Sequence, residues 1–180
     1  MRTWTFSGNI LVIENNDLLR AETDAIVNAA NSRLAGGGGV DGAIQRAAGP
    51  RLLQAGLEHV RLHGPLPTGQ SLLTPGFDLP QRHVIHTVGP IWRGGNAREP
   101  ELLRSAYTSC LRLAQAHDIG SLAFPAISCG AYGYPVELAA PVALDALRSG
   151  LEQGLVREVR MVLRGEDSLR AWLSAAGTTF

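Results

Sequence analysis

The chain has 180 residues, 45% of them hydrophobic and 18% charged, which suits a buried core and excludes a disordered chain. Its 16 Lys and Arg residues balance 16 Asp and Glu, so no net field draws it to nucleic acid or to an anionic membrane. No stretch approaches the roughly 18 apolar residues of a membrane helix.

The first residues, Met1 to Phe6, lack the basic start and apolar run of a signal peptide, so a cytoplasmic setting is expected. Ile10–Ile13 and Ala25–Val27 read as buried strands. Pro50, after Gly49, opens a helix with Leu52, Leu53, Leu57 and Val60 on one face, and Gly64-Pro65 stops it. Ser71–Thr74 and Val84–Val88 are two further strands. Pro100 opens the clearest helix, with Leu103, Tyr107, Cys110, Leu111 and Ala114 on one side. Ser121–Ile127 is a strand running into a glycine turn, and the Ala- and Leu-rich segment after Pro135 is helical, kinked or started late by Pro141. Val159–Leu163 is the last strand, and Asp167-Ser168 is positioned to cap a terminal helix through Leu169 and Trp172. Cys110 and Cys129 lie in unlike contexts and imply no disulfide framework. The alternation of strands and helices predicts one α/β domain over residues 1–180, with helices covering a mostly parallel or mixed sheet.

The densest chemical signal runs from Asp24 to Ile44. A strand ends in polar Asn28 and Asn31, and the run Gly36–Gly39 then leads through Val40 and Asp41 into a helical stretch. Glycines let the backbone approach a ligand and expose successive N–H groups, and at a helix start those donors form a phosphate site. A second glycine turn, with Ser128, Gly130 and Gly133, follows another strand, and Tyr132 is available to cover a sugar. In open α/β sheets such loops converge beyond the carboxyl ends of the strands, so the two together predict a diphosphate clamped from both sides. Taken alone, Asp41 reads equally as a helix-start carboxylate or as a group that orients a water. Asn31 reads as a ribose contact or a turn residue, and Asp17 as a turn former. His83 and His86 are three apart on a strand and face opposite sides, so no shared metal is expected, nor any cofactor. Trp92–Gly95 reads as a surface loop.

These segments together resemble the macrodomain family and, within it, the MacroD-type class. The resemblance runs from about Asn16 to Trp172 and rests on Asp24–Asn31, Gly36–Ile44, Arg46–Pro50, His86–Pro90 and Ala131–Pro135, in that order and spacing. It implies a three-layer α/β/α sandwich with a mixed, mostly parallel sheet. It also implies an ADP-ribose-binding hydrolase that cleaves esters at the distal ribose. Such a hydrolase deacetylates O-acetyl-ADP-ribose and removes mono-ADP-ribose from acidic residues of proteins. Carried over by position, Asp17 and the amide of Leu18 read adenine. Gly38, Gly39 and Val40, with Ser128, Cys129, Gly130, Ala131 and Tyr132, line the diphosphate. Asn28 is among the ligand-binding residues, and Asn31, holding the distal ribose, and Asp41, the catalytic carboxylate, are the catalytic pair. The sequence departs from the family pattern at Asn16 (usually Gly), Gln45 (usually His), Cys129 (usually Thr) and Arg164 (usually aromatic, here a planar guanidinium for the base). The family also contains non-catalytic ADP-ribose readers, which is the alternative. Neither RNA nor a membrane is expected as a partner, and the chain is expected to be a monomer.

Overall fold

The structure is a computed structural model that describes residues 1–180. In chain order its elements are β1 (Arg2–Phe6), β2 (Asn9–Asn15), a 3-10 turn (Leu18–Arg20), β3 (Ala25–Ala29), α1 (Gly39–Ala48), α2 (Pro50–His63), β4 (Ser71–Pro75) and β5 (His83–Thr87). There follow α3 (Glu99–Ala116), β6 (Ser121–Phe124), α4 (Val136–Glu152), β7 (Glu158–Leu163) and α5 (Glu166–Thr179). The seven strands form one sheet in the order β1-β2-β7-β6-β3-β5-β4. The five inner strands run parallel, and β1 and β4 are antiparallel edges.

Strand alternation decides which side chain meets which layer. Leu11, Ile13, Ala25, Val27, Ile85, Leu122, Phe124, Val159 and Met161 point to one face and pack with buried residues of α3, α4 and α5, Tyr107 and Trp172 among them. Ile26, Val84, Ala123 and Val162 point to the other and meet Ile44, Ala48 and Leu52 of α1 and α2. The result is the three-layer α/β/α sandwich. No helix is long and apolar enough to cross a membrane.

The structure departs from the sequence reading at four points. β1 joins the sheet through a two-residue hairpin at Ser7 and Gly8, both with positive φ (50° and 85°), the twist that suits a tight antiparallel turn. The strand from Ser121 ends at Phe124, so Pro125 to Ile127 belong to the loop beyond it. α4 runs unbroken from Val136 through Pro141, whose ring sits near the helix start. The backbone of Gly165, rather than Asp167 or Ser168, caps α5, and Asp167 pairs instead with Arg170 one turn on.

Because the inner strands are parallel, their carboxyl ends lie along one rim. The loops β3–α1, β6–α4 and β7–α5 all open onto it.

Candidate functional site

Those loops enclose a cleft of about 660 Å³. One wall is the first glycine turn, with Asn31, Gly37, Gly38, Gly39, Val40 and Asp41; the other runs from Pro125 to Tyr132, and Val162, Leu163 and Arg164 close one end. The two glycine turns read as a pair from the sequence thus stand on opposite sides of a single cavity.

The first turn becomes a donor cluster because α1 starts inside it. Gly38 caps the helix and Gly39 opens it at φ +56°, a left-handed conformation that glycine adopts without strain. The first intrahelical bond here is from the Gly42 amide to the Gly38 carbonyl, so the amides from Gly38 to Asp41 find no protein acceptor. Asn31 shapes this turn from within: its amide nitrogen donates to the Gly36 carbonyl at 2.8 Å and its oxygen accepts from the Ala35 amide at 3.3 Å.

The second turn is built on strain. Ser128 takes φ +66°, unusual for a residue with a side chain, and its buried hydroxyl has no protein partner. The Ser128 carbonyl accepts from the Tyr134 amide and the Gly130 carbonyl from the Gly133 amide, which curls the backbone. The amides of Ser128, Gly130, Ala131 and Tyr132 again meet no protein acceptor. Two nests of free N–H donors therefore face one cavity, an arrangement fitted to an extended polyanion. The Cys129 thiol, in the same turn, is pushed up to about 12 by burial and then by the charge of Glu137, so it stays protonated and is no nucleophile.

In the first wall sits Asp41, 6% exposed. Its Oδ1 accepts from Asn28 Nδ2 at 2.9 Å and from Gln45 Nε2 at 3.3 Å, while Oδ2 takes no hydrogen bond from the protein. A Cβ built on Gly37 would lie 3.4 Å from that Oδ2, which puts the open oxygen beside the glycine turn. One carboxylate oxygen is held by two amides and the other is available to a water or a hydroxyl.

Three of the proposed contacts lie outside the cleft wall. Asn28 is fully buried behind Asp41 and touches it rather than the cavity. Asp17 uses a carboxylate oxygen to cap its own 3-10 turn at the Leu19 amide, and Leu18 packs into the core beneath α1 and α2. Neither Asp17 nor Leu18 lines the cavity.

The sequence model described as Macro domain matches residues 27–143. The chain belongs to the macrodomain family. It is 48% identical over 163 residues to a protein of Salmonella gallinarum named O-acetyl-ADP-ribose deacetylase, covering 90% of this chain and 91% of the relative. Among solved structures, the Oceanobacillus iheyensis macrodomain with ADP matches at a TM-score of 0.94 and 42% identity, covering 98% of this chain and 95% of that one. The Trypanosoma brucei macrodomain in complex with ADP-ribose matches at 0.83 and 38% identity, over 93% of this chain and 69% of that one.

Sequence reasoning missed part of how this macrodomain builds its second wall. Gly89 lines the cavity, and a Cβ there would meet the Ser128 hydroxyl at 2.2 Å, so the turn after β5 packs directly under the strained one. Trp92, expected on a surface loop, is half-buried; its amide donates to the Tyr132 carbonyl at 2.9 Å and its ring packs on Tyr134 at 4.5 Å. The buried Glu99 carboxylate in turn accepts the amides of Arg93, Gly95 and Ala97, tying the loop that carries Trp92. Ser168, from the first turn of α5, also lines the cavity near Arg164. The signals were the His86–Pro90 stretch and the acidic start of α3; only folding makes them part of the site.

Proposed function

We propose that the cleft binds ADP-ribose and that the protein hydrolyses esters at the distal ribose, acting on O-acetyl-ADP-ribose and on mono-ADP-ribose attached to acidic residues of proteins. The observation that carries this reading is the half-clamped carboxylate of Asp41 next to two facing nests of free amides. The nests hold the diphosphate, Arg164 lies toward the base, and Asn31 and Asp41 lie toward the distal ribose. A water accepted by Asp41 Oδ2 attacks the ester carbonyl carbon. The bond from that carbon to the ribose oxygen breaks, the water supplies a hydroxyl to the acid and a proton to the ribose, and acetate or a protein carboxylate leaves.

With Oδ1 held by two amides and Oδ2 open, Asp41 is placed to accept a hydrogen bond from the water and so to orient it. Positioning of that kind supplies up to about 7–11 kcal/mol in well-oriented intramolecular reactions. Both groups bonded to Asp41, Asn28 and Gln45, are side-chain amides, which neither take up nor give up a proton at working pH. Turnover therefore proceeds without a proton acceptor at residue 45.

The test is Asp41→Ala, assayed for ADP-ribose binding by calorimetry and for release of acetate from O-acetyl-ADP-ribose. We expect binding to stay within about threefold and turnover to fall at least a hundredfold, the order seen when a positioned acid–base group is removed. Saturable binding by the wild type with no hydrolysis of either ester would instead identify a reader of ADP-ribose.

A further inference from the structure

Behind Asp41 lies a row of buried polar side chains that the hydrolytic reading does not use. Asn28 Nδ2 approaches both Asp41 Oδ1 at 2.9 Å and His86 Nδ1 at 3.2 Å, and His86 Nε2 lies 3.0 Å from Thr74 Oγ1. All are sequestered from solvent, with Asn28 0%, His86 2% and Thr74 6% exposed. The row spans three neighbouring strands: β3 and β5 pair in parallel with Asn28 opposite His86, and β5 pairs with β4, which carries Thr74.

The hydrogen bonds run in only one direction. A carboxylate offers acceptors alone, so Asp41 requires the NH2 end of the Asn28 amide rather than its oxygen. That NH2 has two hydrogens and two acceptors in reach, Asp41 Oδ1 and His86 Nδ1. His86 Nδ1 must then be the bare nitrogen, and the imidazole proton sits on Nε2, where the Thr74 hydroxyl accepts it. Burial also lowers the His86 pKa to about 4, so the ring is neutral at working pH and Nδ1 remains an acceptor. Each member thus sets the orientation of the next.

We propose that Thr74, His86 and Asn28 form a positioning chain that holds the Asp41 carboxylate in its rotamer through the Nε2–H tautomer of His86, and that this chain sets kcat without contacting substrate. The inference rests on Asp41 being the group that steers water. If the His86 proton moved to Nδ1, the Asn28 NH2 would meet a donor. Its amide would turn, bring its oxygen against Asp41 Oδ1, and push the carboxylate away from the cleft. His86 is therefore an anchor rather than an acid or base, and Thr74, although remote from the cavity, controls it.

The experiment uses Thr74→Val, which keeps the side-chain shape and removes the acceptor, with Thr74→Ser as the conservative control and Asp41→Ala in parallel. Wild-type and variant proteins are assayed for turnover of O-acetyl-ADP-ribose and for ADP-ribose affinity, and the His86 ring nitrogens are read by 15N–1H NMR. We expect Thr74→Val to lower kcat about tenfold with ADP-ribose Kd within twofold, and Thr74→Ser to restore kcat to within about twofold of wild type. The wild-type spectrum should show a neutral ring protonated at Nε2. A purely structural role for Thr74 predicts instead a parallel loss of binding and turnover, and that result would overturn the proposal. So would an Nδ1–H ring in the wild type, which can be read whether or not the protein hydrolyses anything. If Asp41→Ala abolishes turnover and Thr74→Val leaves kcat intact, the positioning chain is refuted while the hydrolytic reading stands. If Asp41→Ala keeps full turnover, Asp41 does not steer the water and the positioning chain falls with it, while hydrolysis itself stands.

Discussion

Substituting Gly42 by alanine separates stability from ligand binding, because two effects of known sign act on different parts of the molecule. Gly42 lies in the first turn of α1, and an added Cβ would sit 2.5 Å from the Gly37 carbonyl oxygen, against a floor of 3.0 Å that real Cβ contacts respect. The partner is backbone, so no rotamer change relieves the clash, and Gly37 must retreat by the difference, 0.5 Å or more. Within the helix, alanine is favoured over glycine by about 0.8–1 kcal/mol, which offsets much of the strain, and the thermal midpoint should move by only a few degrees. The binding side has no such compensation. Gly37 leads directly into the nest of free amides and lies against the open oxygen of Asp41. A hydrogen bond to a charged group contributes about 1.5–3 kcal/mol, and misaligning one of them corresponds to roughly a 10- to 100-fold weaker Kd. Calorimetric titration with ADP-ribose, alongside thermal melts of both proteins, reads the two effects separately. An affinity within twofold of wild type at unchanged stability would refute the argument, because it would mean that the first glycine turn does not grip the ligand.

Two further outcomes follow from the second wall. Burial raises the Glu99 carboxyl, but its own backbone amide and then those of Arg93, Gly95 and Ala97 together more than offset it, and the net pKa is lowered. The tie is therefore fully present above the ordinary carboxylate range and is lost only as pH falls through the lower folded value. Hydrogen exchange at those three amides should stay slow at pH 5 in the wild type and become fast in Glu99→Gln, whose NH2 opposes one of the donors; equal protection in both would contradict the assignment. Burial pushes the Cys129 and Cys110 thiols up to about 12 each, so at pH 8 both should react on the order of a thousandfold more slowly with a disulfide reagent than a free thiol of pKa about 8.5. Rapid labelling of Cys129 in the native protein would show that the second turn is more open than described, and rapid labelling of Cys110 that α3 is.

The fold was readable wherever one residue type dominated a short segment. The apolar runs at Ile10, Ala25, Val84 and Val159 each became inner strands, because strands covered by helices on both faces need no polar side. The edge strand β1 carried a different signal, period-two alternation that places Trp4 and Phe6 against Phe180 and leaves Thr3 and Thr5 exposed, ending at the Ser7-Gly8 turn. The glycine turns were readable as a pair because each follows a strand, and parallel strands deliver their carboxyl ends to one rim.

The partnership of Asn28 with His86 was not readable, and the reason is topological. The two residues are 58 apart in sequence and meet only because β3 and β5 are neighbours in register, with β4 folded back alongside. A histidine on a strand three residues from another reads locally as a failed metal pair, and nothing nearby marks it as part of the site. Gln45 is the opposite case. Its departure from the family pattern was plain from the sequence, but its consequence needed the distance to Asp41. An amide at 3.3 Å from Oδ1 supplies the hydrogen bond that a neutral histidine would supply and removes the possibility of carrying a proton. Residue 45 thus gives the carboxylate a hydrogen-bond donor and no titrating group.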